Sequence, residues 1–265
     1  MATVKLRLKN YAFRLPTGGD SDDDDYDAWA ASFNSALTKL AATLRRCSRM
    51  RSLDVEVRVG GLLDHQAYLM AEPVADLLSV GRLTSLTFDS ATCLFSRTPE
   101  SGVHFCRSIN ALLPSLRRLR FRMESVCKSL LEPPPGDAPL ALEEVIVNLS
   151  LSQLNHAITS VRHSRCCGDV AGTAFVQFKN ALEAQATALA ARLRQPRMVR
   201  IITHEFPSLD FYAFDALTGK RILLEDNIEW DAEGEAEDDA EADATEDDES
   251  DLFADEPPVT PFIVL

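Results

Sequence analysis

Leu116-Arg-Arg-Leu119-Arg-Phe121 is the stretch that decides the fold, because its pattern of apolar-x-x-apolar-x-apolar recurs along the chain. Two similar hexapeptides precede it at successive intervals of 33 residues, and two more follow after 26 and then 64 residues. The widest gap has room for a degenerate unit around Met198-x-x-Ile201. A pattern repeated at a fixed period is typical of a fold built from stacked units. The other matches are Met50-x-x-Leu53-x-Val55, Leu83-x-x-Leu86-x-Phe88, Leu142-x-x-Val145-x-Val147 and Phe206-x-x-Leu209-x-Phe211.

Each repeat predicts a short strand that follows a helix. Alternate side chains of a strand point to opposite faces, while the preceding segments have apolar residues at helical spacing, such as Phe33, Leu37, Leu40 and Leu44. Pro73 lies inside the second helical segment and is expected to kink or split that helix. A helix or a strand that is apolar on one side only can bury that side when successive units stack. The sequence therefore predicts an α/β leucine-rich-repeat-like solenoid, with parallel strands on one side and helices on the other.

Three further elements are predicted around the repeat array. Residues 4–8 alternate apolar and basic side chains, which predicts a strand at the first end. Residues 172–195 have the longest helical pattern in the chain. Residues 209–214 and 220–224 flank a turn that contains Gly219, a residue able to adopt a positive φ, so they predict a β-hairpin that closes the array.

The charge of the chain is divided unequally along its length. Of the 41 acidic residues, 17 lie between Asp226 and Glu256, a stretch without Lys or Arg. The other 24 are balanced by 27 Lys and Arg, so residues 1–225 are predicted to form one near-neutral domain, with an acidic loop at residues 18–27. Residues 226–265 are predicted to be an acidic disordered tail, because they offer too little apolar surface to offset the entropy of ordering.

Composition also limits the compartment. No apolar run approaches the roughly 18 residues needed to cross a bilayer, and the first residues carry charges where a signal peptide has an apolar stretch. The six cysteines are not spaced as a disulfide framework. The protein is therefore expected to be intracellular, cytoplasmic or nuclear, with reduced thiols and no membrane contact.

Several stretches resemble a known family, the leucine-rich-repeat-like region of filamentous-fungal F-box-type proteins, and the similarity covers residues 45–230. It implies a repeat domain that binds a protein partner, such as a ubiquitination substrate. No segment before the first repeat has the pattern of an F-box, so contact with a Skp-type adaptor is not expected. The stretches are Leu112-Leu-Pro-Ser-Leu-Arg-Arg-Leu-Arg-Phe-Arg-Met123, Leu142-Glu-Glu-Val-Ile-Val-Asn-Leu149 and Phe206-Pro-Ser-Leu-Asp-Phe-Tyr-Ala-Phe-Asp-Ala-Leu-Thr-Gly-Lys-Arg221.

The sequence motifs that suggest chemistry are weak. The dipeptide Gly219-Lys220 lacks the upstream Gly and the following Ser or Thr of a phosphate-binding loop. His163, Cys166 and Cys167 lie close together, but adjacent cysteines do not readily share one tetrahedral ion, and the chain has no Cys-x-x-Cys pair. No cysteine has the local signature of a Cys/His hydrolase. The chain is therefore predicted not to be an enzyme and to use no metal or cofactor.

Exposed strand residues are the predicted binding residues. Arg118, Arg120 and Arg122 alternate with apolar residues, so all three are expected on the outer face of their strand. Glu56 and Arg58 on an earlier repeat strand are predicted to belong to the same protein-binding face. Nucleic acid is not expected there, because aromatic side chains that stack on bases are not interleaved with the arginines.

Three interpretations of these charges remain open beside protein binding. The simplest is that the arginines only face water. A second is a nuclear factor that binds basic proteins or nucleic acid through the acidic tail and the arginine face. In a third, the acidic loop at residues 20–27 or the tail lies over the arginine face and competes with a partner.

Overall fold

The computed structural model describes residues 2–10, 22–47, 49–59, 69–80, 82–90, 104–151, 163–167, 175–205, 210–225 and 229–236. Within these residues, helices and strands alternate for most of the length. The strands are β1 (Ala2–Asn10), β2 (Met50–Val59), β3 (Ser85–Ser90), β4 (Arg118–Met123), β5 (Ser125–Val126), β6 (Glu144–Asn148), β7 (Arg165–Cys166), β8 (Met198–His204), β9 (Phe211–Asp215), β10 (Lys220–Leu224) and β11 (Glu235–Ala236). The helices are α1 (Asp22–Arg45), α2 (Ala71–Leu78), α3 (Phe105–Asn110) and α4 (Phe175–Ala190), with a short 3-10 helix at Lys128–Leu130.

Nine strands form one sheet in the order β1-β2-β3-β4-β6-β8-β9-β10-β11. The first six of these strands are parallel. The last three run antiparallel to their neighbours, and β5 pairs with β7 in a separate two-stranded sheet. The predicted α/β class with a mostly parallel sheet is therefore confirmed, and the strands of the parallel part follow one another in chain order.

The apolar positions of the repeats line up across the parallel strands. They form two rows on one face of the sheet, and every residue of both rows is at most 1% exposed. The rows pack against the apolar sides of the helices, as in the contact of Phe105 on α3 with Phe88 and Phe121 at ring-centroid distances of 5.1 and 6.3 Å. The first row is Leu53, Leu86, Leu119, Val145 and Val199, and the second is Val55, Phe88, Phe121, Val147 and Ile201.

Two local features at helix starts differ from the sequence prediction. Helix α1 begins at Asp22, so part of the acidic loop predicted at residues 18–27 is helical. Once the buried side of the helix, which includes Ala30 and Leu37, has formed, extending the helix by further residues costs little, and the loop prediction left this out. Helix α2 begins at Ala71, so Pro73 lies in the first turn, where its missing N–H is not needed and causes no kink.

The final hexapeptide match does not form a parallel unit. Its first four residues, 206–209, lie outside the described residues, and β9 runs antiparallel to β8. Few residues join these two strands, whereas a parallel connection needs a crossover of a dozen residues or more. The predicted hairpin is confirmed, with β9 paired to β10 and Gly219 at a φ of 72°. The parallel position belongs to β8, which contains the suspected degenerate unit.

Helix α4 is shorter than the segment of residues 172–195 that the periodicity predicts. It buries one side, formed by Phe178, Leu182, Ala186 and Leu189, in the core between the helices and the sheet. Among the described residues, no helix is both long enough and apolar enough to cross a membrane.

Candidate protein-binding face

The face of the sheet that points away from the helices is polar over its first four strands. Because side chains alternate along a strand, residues next to the buried rows point to this opposite side. We call this set the outer strand face. It consists of Thr3, Lys5 and Arg7 on β1, Ser52, Asp54 and Glu56 on β2, Ser85, Thr87 and Asp89 on β3, and Arg118, Arg120 and Arg122 on β4.

Charged residues of the outer strand face pair with residues of opposite charge on the adjacent strand. Lys5 Nζ lies 2.9 Å from Asp54 Oδ2. Arg7 Nε lies 3.1 Å from Glu56 Oε2. Arg122 donates two hydrogen bonds to the Asp89 carboxylate, of 2.7 and 2.6 Å. Since each pair is aligned by strand register, the sheet itself positions the charges.

The Glu144 carboxylate on β6 forms ion pairs with two of the three arginines of β4. Arg118 Nε lies 3.1 Å from Glu144 Oε2, and Arg120 Nε donates to Glu144 Oε1 at 2.6 Å. Arg120 reaches further with its other nitrogen, which donates to Asp231 Oδ2 at 2.6 Å. Arg118 and Arg120 are therefore held by carboxylates from two separate parts of the chain.

Beyond β4 the same side of the sheet becomes apolar and is covered by residues 229–236, which we call the covering segment. Its Trp230 is buried against an apolar patch that comprises Ile146, Ile202, Phe211, Ala213 and Leu224. The Trp230 ring also stacks under Arg122, whose guanidinium carbon lies 4.9 Å from the ring centroid. The covering segment is thus fixed by an aromatic anchor that contacts both the apolar patch and the polar face.

Backbone contacts also fix the covering segment. Arg200 Nη1 donates to the carbonyl oxygen of Ala232 at 2.6 Å. Strand β11 then pairs with β10. A Cβ atom at Gly234 would overlap the carbonyl oxygen of Leu223, so only glycine fits this close approach. Composition assigns residues 226–265 to a disordered tail, but residues 229–236 pack on the sheet because Trp230 supplies the burial that the acidic residues lack.

The ion pair of Asp231 leads to a testable prediction. The hydrogen bond from Arg120 lowers the pKa of Asp231, so this carboxylate stabilises the fold above its unfolded pKa and loses that contribution as the pH falls. Because the Asp231 side chain is half exposed, we expect Asp231→Asn to lower the free energy of unfolding near neutral pH by about 1 kcal/mol or less. Urea titrations should find this loss shrinking below about pH 4, whereas Asp137→Asn in the proline-rich loop should have no comparable effect.

The structure places the predicted binding residues unequally. Arg118 is half exposed on the outer strand face. Arg120 donates a hydrogen bond to Asp231, and Arg122 is buried against the ring of Trp230. Glu56 lies on the same face in its pair with Arg7. The side chain of Arg58 lies outside the described residues. The expectation that all three β4 arginines are open to solvent is therefore wrong, because the covering segment occupies two of them.

Side chains from three separate stretches of the sequence meet near the start of α3. We call this set the thiol cluster, and it consists of His104, Cys106, Cys127 and Cys167. Cys106 Sγ lies 3.7 Å from Cys167 Sγ, and Cys127 Sγ lies 3.6 Å from His104 Nε2. The ligand atoms of His104, Cys127 and Cys167 all lie within 4.8 Å of one another. Sequence reasoning missed this group because the residues are 21 and 40 positions apart and form no Cys-x-x-Cys pair.

Hydrogen bonds give the thiols of the cluster different acidities. The pKa of Cys127 is lowered because the Cys106 and Cys167 thiols and the Ser129 hydroxyl can donate to its sulfur. The pKa of Cys106 is raised well above its usual value, chiefly because its proton is shared with Cys127. One thiolate beside an imidazole is chemically able to bind a metal ion or to act as a nucleophile.

The histidine and cysteine group that the sequence offers as a metal site is divided by the fold. His163 stacks on His204, with ring centroids 3.7 Å apart. Its Nε2 atom donates to the carbonyl oxygen of His204 at 2.8 Å. Cys167 belongs to the thiol cluster, while Cys166 pairs through β7 with β5. His163 and Cys167 therefore have separate surroundings.

Comparison with known proteins identifies no relative. No protein-family model, no curated protein and no solved structure matches the chain. The resemblance of the repeats to fungal F-box-type proteins therefore stays a prediction.

Proposed function

We propose that the chain is a non-catalytic protein-binding module, a leucine-rich-repeat-like solenoid whose outer strand face recognises an acidic polypeptide. Sequential parallel strands, aligned repeat rows and helices packed on the opposite side support the solenoid interpretation. A rigid sheet of this kind holds its outward side chains in fixed positions, which favours recognition of another surface. The resemblance described above favours a partner that is itself a protein, such as a ubiquitination substrate.

The exposure of the ion pairs is the observation that carries this proposal. In three of the pairs the cation is more exposed than its carboxylate partner, whereas in the Arg122–Asp89 and Arg120–Asp231 pairs the carboxylate is the more exposed group, so the basic part of the surface lies at the three exposed cations. The side chains of Lys5, Arg7 and Arg118 are 52%, 62% and 49% exposed, against 26%, 20% and 12% for Asp54, Glu56 and Glu144. Exposed charges steer association and select partners of opposite charge.

The covering segment supports the choice of a polypeptide as ligand. It is itself an acidic stretch held on this side of the sheet by an aromatic side chain, a carboxylate and a backbone carbonyl oxygen. These are the contacts that a partner peptide would make with the adjoining outer strand face. Nucleic-acid bases would stack on exposed aromatic residues among the cations. The outer strand face consists of hydroxyl and charged residues, which favours a protein ligand over nucleic acid.

Charge reversal tests the proposal directly. The triple variant Lys5→Glu, Arg7→Glu, Arg118→Glu should bind its protein partner at least about tenfold more weakly, because each cation becomes a like charge for an acidic ligand. The matched control is Lys39→Glu, Arg46→Glu, Arg194→Glu, which makes the same charge change at exposed positions of α1 and the segments after α1 and α4. Quantitative mass spectrometry compares the proteins that the wild type and the two variants capture from lysate, with and without nuclease treatment.

Two outcomes would contradict the proposal. Equal capture by the outer-face variant and its control would place binding elsewhere on the chain. Loss of all captured proteins after nuclease treatment would indicate nucleic acid as the ligand. A chain that ends at residue 236 keeps the covering segment and removes the rest of the acidic tail, so retained binding favours the outer strand face and lost binding favours the tail.

A further inference from the structure

We propose that His104, Cys106, Cys127 and Cys167 bind one zinc ion through three sulfur atoms and one imidazole nitrogen. The four residues come from three separate parts of the fold. His104 and Cys106 lie at the start of α3, Cys127 follows β5, and Cys167 follows β7. The fold therefore assembles the ligand set, which no short stretch of sequence contains.

Two distances in the thiol cluster match those of a tetrahedral zinc site. With Zn–S bonds of about 2.3 Å and a Zn–N bond of about 2.0 Å, tetrahedral angles place two sulfurs about 3.8 Å apart, and a sulfur and nitrogen about 3.5 Å apart. The Cys106–Cys167 and Cys127–His104 distances are 3.7 and 3.6 Å. Both distances therefore fit ligand atoms that share one central ion.

The chemistry of the donors favours zinc over harder cations. Three thiols and an imidazole are the donor set of a closed, structural zinc site, whereas magnesium and calcium take oxygen ligands. Cys106 and Cys127 are buried, and the buried Nδ1 of His104 has no hydrogen-bond partner among the described residues. The imidazole is therefore not committed to another group within the described part of the chain.

A metal ion at this position has a structural purpose. It would tie α3 to the two-stranded sheet of β5 and β7, which is held by only two residue pairs. Strands this short contribute little stability by themselves. Zinc would close the loops between Cys106 and Cys127 and between Cys127 and Cys167 in the folded state. The free energy of zinc binding would therefore add to the free energy of folding.

Two other uses of the same side chains are less consistent with the arrangement. A catalytic cysteine paired with His104 would need access for a substrate, but Cys127 is buried and adjoins two further thiols that such a mechanism does not use. A disulfide between Cys106 and Cys167 would leave Cys127 and His104 as a separate pair. Only the metal uses all four side chains together.

The metal content of the full-length chain tests the proposal. The chain is produced in zinc-supplemented medium, without a histidine tag and without chelator, and its metals are measured by inductively coupled plasma mass spectrometry. We expect one zinc per chain in the wild type and in Cys47→Ser, whose exposed thiol lies outside the cluster. Replacing each cluster cysteine with serine should lower the retained zinc, and His104→Ala should weaken zinc by more than about 100-fold in chelator competition.

Two further measurements keep the proposal testable if a cysteine variant fails to fold. His104→Cys replaces one zinc ligand with another and should restore the zinc that His104→Ala loses. Cobalt(II) added to the metal-free wild-type chain should give the intense visible absorption of a tetrahedral thiolate site. The proposal is overturned if the wild type holds no zinc and its metal-free form gives no such absorption with cobalt(II).

Discussion

Replacing Trp230 with alanine is expected to lower the free energy of unfolding by about 3–5 kcal/mol, the usual cost of removing a large buried aromatic side chain. Trp230 is buried, although the surrounding sequence is acidic and low in apolar residues. Its loss would expose the apolar patch around Ile146 and Ile202 and remove the stacking under Arg122. Such a cost is a large share of the stability of a typical domain.

Urea unfolding followed by circular dichroism measures this loss. Trp230→Phe retains an aromatic anchor and is expected to cost about 1.5 kcal/mol or less. The chain has two tryptophans, so fluorescence in a Trp29→Phe background reports on Trp230 alone and should be blue-shifted in the native state. A loss below about 1 kcal/mol together with solvent-exposed fluorescence would mean that the covering segment does not pack on the sheet.

Chain truncation provides an independent check on the same feature. A chain that ends at residue 236 should be as stable as the full-length chain, whereas one that ends at residue 225 should be less stable by a margin similar to that of Trp230→Ala. Equal stability of the two truncated chains would support the domain boundary at residue 225 that composition predicts.

The second large effect concerns acid. Burial, and then the nearby His163, lowers the pKa of His204 to about 4, and burial also lowers the pKa of His163. The unfolded chain takes up protons on these rings below about pH 6.5, while the folded chain resists protonation until lower pH. The stability that the neutral rings provide is therefore present above about pH 6.5 and is lost as the pH falls towards 4.

His204 alone should contribute about 3 kcal/mol of this pH dependence, since each pKa unit corresponds to about 1.4 kcal/mol. The neutral stack is held by contacts on both sides. Phe175 packs on the other face of His163 at a centroid distance of 3.9 Å, and His204 Nδ1 lies 2.8 Å from Ser150 Oγ. Lys179 adds a positive charge that opposes protonation of His163.

Urea midpoints measured between about pH 7.5 and about pH 5 test this expectation, because carboxyl groups change little in that range. His204→Phe keeps an aromatic ring and should flatten the dependence, whatever its effect on stability at neutral pH. His65→Gln is the control for loss of one histidine from the composition. A slope that is the same in His204→Phe and in the wild type would show that His204 is not the group responsible.

The repeat spacing predicts the parallel part of the sheet well, because each of these strands buries the apolar residues of its repeat under a covering helix. Leu53, Leu86 and Leu119 occupy equivalent positions, as the interval of 33 residues implies. The interval shortens to 26 residues at Leu142, and the match at Phe206 leads into the antiparallel strand β9. The pattern alone does not distinguish a parallel from an antiparallel partner.

The candidate sites were harder to predict, because both depend on contacts between distant residues. Arg120 and Arg122 alternate with apolar residues, as exposed residues would, yet the covering segment lies over them. In the sequence, the one sign that this acidic segment packs on the sheet is the apolar side chain of Trp230. Cys127 and Cys167 come together through the small sheet of β5 and β7. Pairing of two-residue strands leaves no periodic signal in the sequence.

The order in which the two sides of the sheet are completed matters during synthesis. Ile146 and the other apolar residues of β6 and β8 are made before Trp230, and a chain folds from its N-terminus as it leaves the ribosome. The repeat domain can therefore assemble its helix side while the apolar patch on the opposite side still faces water. Until residue 236 emerges, that patch remains exposed apolar surface, and such surface on an incompletely folded chain favours aggregation.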